Sequence, residues 1–426
     1  MASWIGHADM SFIYPERTVN FKTNGGKETE FAEIVRKVIP PCHLNPLLFN
    51  GHVQTCWTAV NQAAPKTHYR RRVFQAENPA FVGSFAVDFV VDSKADKPDV
   101  SLPPRTTFFT DEEFKGIGSE DGKPMLVLLH GLSGGSHEVY LRHALEEVTN
   151  EGGWEACVIN ARGCARSQIT SEVLFNARAT WDVRQLVKWL RETFPNRPLF
   201  AVGFSLGANI LTNYLGEEGD NSVIKAAVVC SNPWNLDVSN HVLQNSFLGL
   251  NVYSKVMGTN MKGLFEQHWE QIAKNPRIDI DAVRNSTYLY EFDRHVQGPT
   301  WGYPSEGAYY RDASSSDALL AVRTPLLAIN ATDDPIAVRA AIPFEEFKFN
   351  PYAVLCTTSL GGHLAWFETG GSRWFARAVG KFFKTMAKDI DLDSVQSVQS
   401  DDPVYKHAGN GSPEFHPMRR KLQLAI

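Results

Sequence analysis

Between residues 198 and 215 the sequence PLFAVGFSLGANILTNYL changes period partway along, and that change constrains the fold more than any other feature of the chain. Residues 199–202 are an apolar run of strand length, whereas Gly207, Ile210, Leu211, Tyr214 and Leu215 recur at helical spacing. Ser205 falls at the junction, inside Gly203-Phe204-Ser205-Leu206-Gly207. A serine on so sharp a strand-to-helix turn is held in strained backbone angles, and glycines two residues to either side let strand and helix pass closely. The start of the helix offers free N–H groups and the positive end of its dipole, which favour an anion developing beside the serine. A Gly-x-Ser-x-Gly match also arises by chance as a plain turn. The strand before it and the helix after it are what give it weight.

The rest of the chain repeats the same alternation. Apolar runs at 123–130, 156–160, 224–230, 324–330 and 352–357 read as strands buried on both faces of a parallel sheet. Helical patterns at 140–148, 181–193 and 372–388 lie between or after them. Strand, helix, strand, helix is the signature of an α/β fold with a mostly parallel central sheet and helices on both faces. Period-two alternation over 69–92 adds antiparallel strands ahead of it. Residues 1–68 form an N-terminal extension, 69–234 and 321–388 the two parts of the core, and 389–426 a flexible polar tail. Residues 235–320 break the rhythm with aromatics and charges on short helices, and are placed as a helical lid inserted over the site. An ordinary helical excursion with its own core fits the same residues. Residues 93–122 read as an exposed insertion, and 298–307, GPTWGYPSEG, as a loop.

A serine hydroxyl attacks only if a base takes its proton, and that base works best when a carboxylate fixes its tautomer. Ligands gather at the carboxyl ends of such strands. Just past strand ends stand Ser205, the pair Asp333-Asp334, and His363 in Ser359-Leu360-Gly361-Gly362-His363. The order Ser, Asp, His is that of one serine-enzyme fold, the α/β-hydrolases, and not of the others. Singly, an Asp after a strand is often a helix cap and a His after Gly-Gly a surface residue; jointly, coincidence is the weaker explanation. Spacing to Val338 favours Asp334 as the acid, with Asp333 as the alternative. Backbone N–H groups of Leu206 and of Leu132, in His130-Gly131-Leu132-Ser133-Gly134-Gly135, are the expected oxyanion donors, with His130 orienting that loop. His52 is read as structural.

Composition excludes other chemistries. With 43% apolar and 21% charged residues and a net charge of −5, the chain offers no basic patch on which nucleic-acid binding could rest. No HExxH or paired-ligand spacing marks a metal site, and no cofactor is expected. Six cysteines without a CxxC pair suit a reduced compartment, and no run reaches the ~18 apolar residues of a membrane span. The expected location is cytoplasmic, with at most peripheral membrane or lipid-droplet contact.

Taken together, NPLLFNGHVQT, HGLSGGSHEVYLR, NARGCARSQITSEVLFNA, GFSLGANILTNYLGEEG, NATDDPI and GGHLAWFE resemble one family of α/β-hydrolases. It includes the yeast medium-chain fatty acid ethyl ester synthase/esterases and the animal membrane-anchored phospholipid-active hydrolases, and the resemblance covers roughly residues 40–388. It implies a serine esterase that cleaves medium-chain acyl esters, or transfers the acyl group from an acyl-CoA to an alcohol. It also admits monoacylglycerol or phospholipid hydrolysis, or acyl release from a biosynthetic thioester. By position it makes Ser205, an Asp of the Asp333-Asp334 pair and His363 the triad. The sequence departs from related patterns in placing Glu368 five positions after His363, where some relatives carry His-x4-Asp, and Val338 where a proline is common. A catalytically idle binding module is the reading from another class; the presence of every position the chemistry needs argues against it.

Overall fold

Alternate residues of the central strands face two different apolar layers. Leu126, Leu128, Phe200, Val202 and Phe204 enter one, and Met125, Val127, Leu129, Leu199 and Ala201 the other. Side chains on a strand alternate in direction, so a strand covered on both faces must be apolar at every position. The computed structural model describes residues 6–92 and 99–396. Its strands are β1 (Met10–Ile13), β2 (Asn20–Thr23), β3 (Glu28–Glu30), β4 (His68–Gln75), β5 (Ser84–Val91), β6 (Thr106–Phe108), β7 (Met125–Leu129), β8 (Glu155–Asn160), β9 (Leu199–Phe204), β10 (Ile224–Cys230), β11 (Leu326–Ala331), β12 (Ala353–Thr358) and β13 (Ile390–Gln396).

Ten of them form one sheet in the order β1-β12-β11-β10-β9-β7-β8-β5-β4-β6. The run from β12 to β8 is parallel throughout. At the margins β1 pairs antiparallel with β12, and β5 antiparallel with both β4 and β8. Helices Val139–Thr149 and Trp374–Asp389 cover one face through Leu141, Leu145, Phe375, Val379 and Phe382. Helices Thr180–Thr193 and Leu206–Glu218 cover the other through Val183, Leu186, Leu190, Leu211 and Leu215. Each fully buried side chain of this kind contributes about 1.5–3 kcal/mol. The strand order reverses at β7, with β8 on one side and β9 on the other, and a crevice outside the carboxyl ends opens at such a reversal.

From 236 to 319 the chain is helical apart from short turns, with one π-helical turn at Gly249–Ser254. Met261, Phe265, Ile272, Val283 and Phe292 pack on Cys164, Ile169, Leu174 and Phe175, which follow the carboxyl end of β8. The segment therefore shares a core with residues 164–175 and sits over the carboxyl ends of the strands, where Leu132 and Leu206 pack against it.

Three expectations are corrected. The polar tail begins later than 389, because β13 pairs antiparallel with β2, Ile390 opposite Thr23; residues 397–426 lie outside the described residues. The insertion at 93–122 is partly built into the sheet: β6 pairs parallel with β4, and helix Asp111–Lys115 begins with Thr110 and Glu113 capping each other's backbone. Residues 93–98 lie outside the described residues. The loop expected at 298–307 is in part the helix Gln297–Trp301, with Pro299 in its first turn, where no donor is needed, and Gly302 closing it at φ 74°.

Candidate active site

Ser205 leads from β9 into the helix Leu206–Glu218 at φ 52° and ψ −116°. For a residue with a side chain such angles cost on the order of 1–3 kcal/mol, so the surroundings must hold them. The Ser205 N–H donates to the Cys230 carbonyl at 2.9 Å, and the Ser205 carbonyl accepts from the N–H groups of Ala208 and Asn209 at 3.0 and 3.1 Å. A Cβ on Gly203 would stand 2.5 Å from the Gly207 carbonyl oxygen, and one on Gly207 2.4 Å from that of Leu129. Both glycines are fixed by backbone approach.

The loop after β12 brings His363 to the serine, with Nε2 2.8 Å from Ser205 Oγ. On its other side Nδ1 lies 2.9 Å from Asp334 Oδ2 and 3.2 Å from Oδ1. A carboxylate at Nδ1 keeps the ring proton there and leaves the Nε2 lone pair for the serine O–H. Asp334 follows β11; its side chain is fully buried, and its Oδ1 accepts from the N–H groups of Ile336 and Ala337 at 2.8 and 2.9 Å. Asp333 points elsewhere. Its Oδ1 accepts from Gly362 N–H at 3.0 Å, so it clamps the loop that carries His363. Burial raises its carboxyl to about 6, opposed by that N–H and reinforced by the Asp334 charge.

The expected oxyanion donors flank Ser205 across the reversal between β7 and β9. Among the described residues neither the Leu132 nor the Leu206 N–H has a partner within the chain. The loop bearing Leu132 is fixed by His130: Nε2 accepts from Ala161 N–H at 3.0 Å, so Nδ1 carries the proton and donates to the Gly131 carbonyl at 2.6 Å. Burial pushes this imidazole down to about 4, which keeps it neutral. Tyr140 Oη accepts from Gly131 N–H at 2.8 Å.

Several supporting residues were invisible to sequence reasoning. Arg71 and Asp88, opposite one another on β4 and β5, form a buried bidentate pair at 2.6 and 2.8 Å. Asp88 Oδ2 also accepts from Ser136 Oγ at 2.5 Å and Asn160 Nδ2 at 2.9 Å, and Tyr69 Oη donates to the Ser136 carbonyl at 2.9 Å. This network braces the far end of the HGLSGGS loop. Arg70-Arg71-Arg72 reads as a charge run, but strand parity turns the middle arginine inward. From the helix Gly51–Val60, Thr55 Oγ1 accepts from His363 N–H at 2.9 Å, while His52 Nδ1 meets Tyr253 Oη at 2.7 Å. Ser231 Oγ accepts from Leu364 N–H at 3.2 Å.

Two spaces meet at Ser205. An open cleft of about 600 Å³ is lined by Leu132, Glu138, Tyr140, Asn260, Gln267 and His363. A narrower pocket of about 90 Å³ runs beneath the helical segment, lined mainly by Phe175, Leu206, Leu236, Leu243, Met257, Met261, Leu289 and Ile336. Among the described residues no group of three or more His, Cys, Asp or Glu side chains could hold a metal ion, and no helix is long and apolar enough to cross a membrane.

A serine on a strained strand-to-helix turn, hydrogen-bonded to a histidine from a later loop of a mostly parallel sheet, defines an α/β-hydrolase. Residues 124–369 match the family of the α/β hydrolase fold, and the chain belongs to it. It is 35% identical to a monoacylglycerol lipase of Saccharomyces cerevisiae over 91% of this chain and 94% of that one. It is 31% identical to medium-chain fatty acid ethyl ester synthase/esterase 2 of the same yeast, over 84% and 90% of the two chains. Human phospholipase ABHD3 matches at 31% identity over 58% of this chain and 59% of its own. With such relatives along most of its length, the chain is a hydrolase.

Proposed function

We propose that this hydrolase is a serine esterase that cleaves medium-chain acyl esters through an acyl-Ser205 intermediate. The observation that carries the reading is the unbroken hydrogen-bond relay from Ser205 Oγ through His363 to Asp334. As Oγ attacks the ester carbonyl, His363 Nε2 takes its proton, and the buried Asp334 carboxylate stabilises the imidazolium. Charge developing on the carbonyl oxygen meets the N–H groups of Leu206 and Leu132; one such donor is worth about 3 kcal/mol in the transition state. His363 then returns the proton to the departing alkoxide, and the alcohol leaves. In the second half-reaction His363 draws a proton from water, giving the acid, or from an alcohol, giving a new ester. An acyl-CoA would enter the same sequence with a thiolate as leaving group.

The apolar pocket suits the acyl chain, and the open cleft suits the alcohol. Glu138, Asn260 and Gln267 in that cleft favour a second reading within the same chemistry, a monoacylglycerol lipase whose leaving group is glycerol. The yeast monoacylglycerol lipase, matched over 94% of its length, supports it.

Labelling with a fluorophosphonate probe tests the enzyme reading, with Ser205→Ala as control. Absence of Ser205-dependent labelling would sink it. p-Nitrophenyl esters of graded chain length, with and without ethanol, then read acyl preference and the division between water and alcohol.

A further inference from the structure

The narrow pocket beside Ser205 is apolar along most of its wall but carries one polar patch that the chain leaves unsatisfied. Gln297 Nε2 donates to the Phe175 carbonyl at 3.0 Å, which fixes the orientation of the amide. A flipped amide would set two carbonyl oxygens face to face. Gln297 is 98% enclosed, at 2% exposure, and its Oε1 has no hydrogen-bond partner. Four residues earlier Asp293, also buried, accepts from Tyr310 Oη at 2.6 Å, and burial raises its carboxyl to about 7. Both residues line the pocket that reaches Ser205.

An unpaired carbonyl oxygen is poorly served by a methylene chain and well served by a hydroxyl. A site built to bond a hydroxyl discriminates far more strongly than one that only fits methylenes. Resting on the esterase reading, we propose that this pocket selects esters bearing a hydroxyl on the group that enters it, the hydroxyl donating to Gln297 Oε1 beside Asp293. Two ester classes carry such a group: esters of hydroxylated acyl chains, seated with the acyl chain in this pocket, and monoacylglycerols bound in the reverse sense, with the glycerol in this pocket and the acyl chain in the open cleft.

The test compares kcat/KM within matched pairs on the full chain. One arm sets p-nitrophenyl esters of a medium-chain acid against those of its hydroxylated counterparts, with the hydroxyl walked along the chain. The other sets the ethyl ester against the glyceryl ester of one acid. A preference of about tenfold or more for the hydroxylated member of at least one pair is expected, and the arm that shows it names the source. Gln297→Met, which keeps the length and removes the acceptor, is expected to collapse the ratio to within about twofold, and Asp293→Asn to lower it. Ratios within about twofold in both arms for the unaltered protein, or ratios that survive both substitutions, overturn the proposal. p-Nitrophenyl acetate separates the two readings: no acetate cleavage and no Ser205 labelling overturns the esterase reading and this one together, whereas cleavage without hydroxyl preference overturns this one alone.

Discussion

His363 Nδ1 lies 2.9 Å from Asp334 Oδ2, while the neighbouring Asp333 gives its Oδ1 to the Gly362 N–H. Adjacent carboxylates thus face different partners, one the imidazole and the other the backbone of the loop that presents it. Asp334→Asn is expected to lower kcat by about 10⁴-fold by favouring the wrong imidazole tautomer. Asp333→Asn keeps an acceptor for Gly362 and is expected to cost less than about tenfold by steady-state kinetics. Equal losses in the two variants would contradict this division of roles.

The backbone of Ser205, at φ 52°, predicts that stability is being given up for position. Glycine tolerates those angles and alanine does not. Ser205→Gly should therefore be about 1 kcal/mol more stable than Ser205→Ala in urea unfolding, both being inactive. A less stable glycine variant would show that the turn is unstrained.

His130 gives a pH signature. Burial holds its folded-state value near 4 against an ordinary 6.5, so between these limits the unfolded chain binds a proton that the folded chain refuses. Its contribution is complete above pH 6.5 and is lost as pH falls toward 4, by roughly 3 kcal/mol at most. Urea midpoints measured across that window should fall more steeply for the native chain than for His130→Gln.

The Arg71–Asp88 pair supplies a prediction on stability and loop position together. Asp88→Ala leaves a buried guanidinium without its carboxylate, and removing one partner of such a pair costs about 3–5 kcal/mol. Because Asp88 also holds Ser136 at the end of the loop carrying Leu132, kcat of the folded fraction should fall as well. The double variant Arg71→Met/Asp88→Leu should recover much of the stability without recovering kcat, since the Ser136 hydroxyl still lacks its Asp88 acceptor.

How far the sequence discloses this molecule depends on whether the signal is local. The strands β7, β9 and β10 are legible because burial on both faces demands an unbroken apolar run, and Ser205 because the period changes around it. The positions of Asp334 and His363 are legible as residues just past strand ends. β6 and β13 are not, since a short edge strand needs no apolar run and owes its pairing to β4 or β2 rather than to its own residues. Nor are Thr55, Asp88 and Gln297, whose roles arise only when distant segments meet.

The hydrogen bond from His363 N–H to Thr55 Oγ1 joins residues 308 positions apart, and β1 pairs with the comparably distant β12. On the ribosome the N-terminal segment is made first and must wait for nearly the whole chain before either contact can form. Non-local closures of this kind fold slowly and leave an unpaired strand exposed in the interval. A nascent chain ending before β12 has Ser205 but neither His363 nor the loop that presents it. The Ser205–His363 contact therefore forms only after synthesis has passed β12.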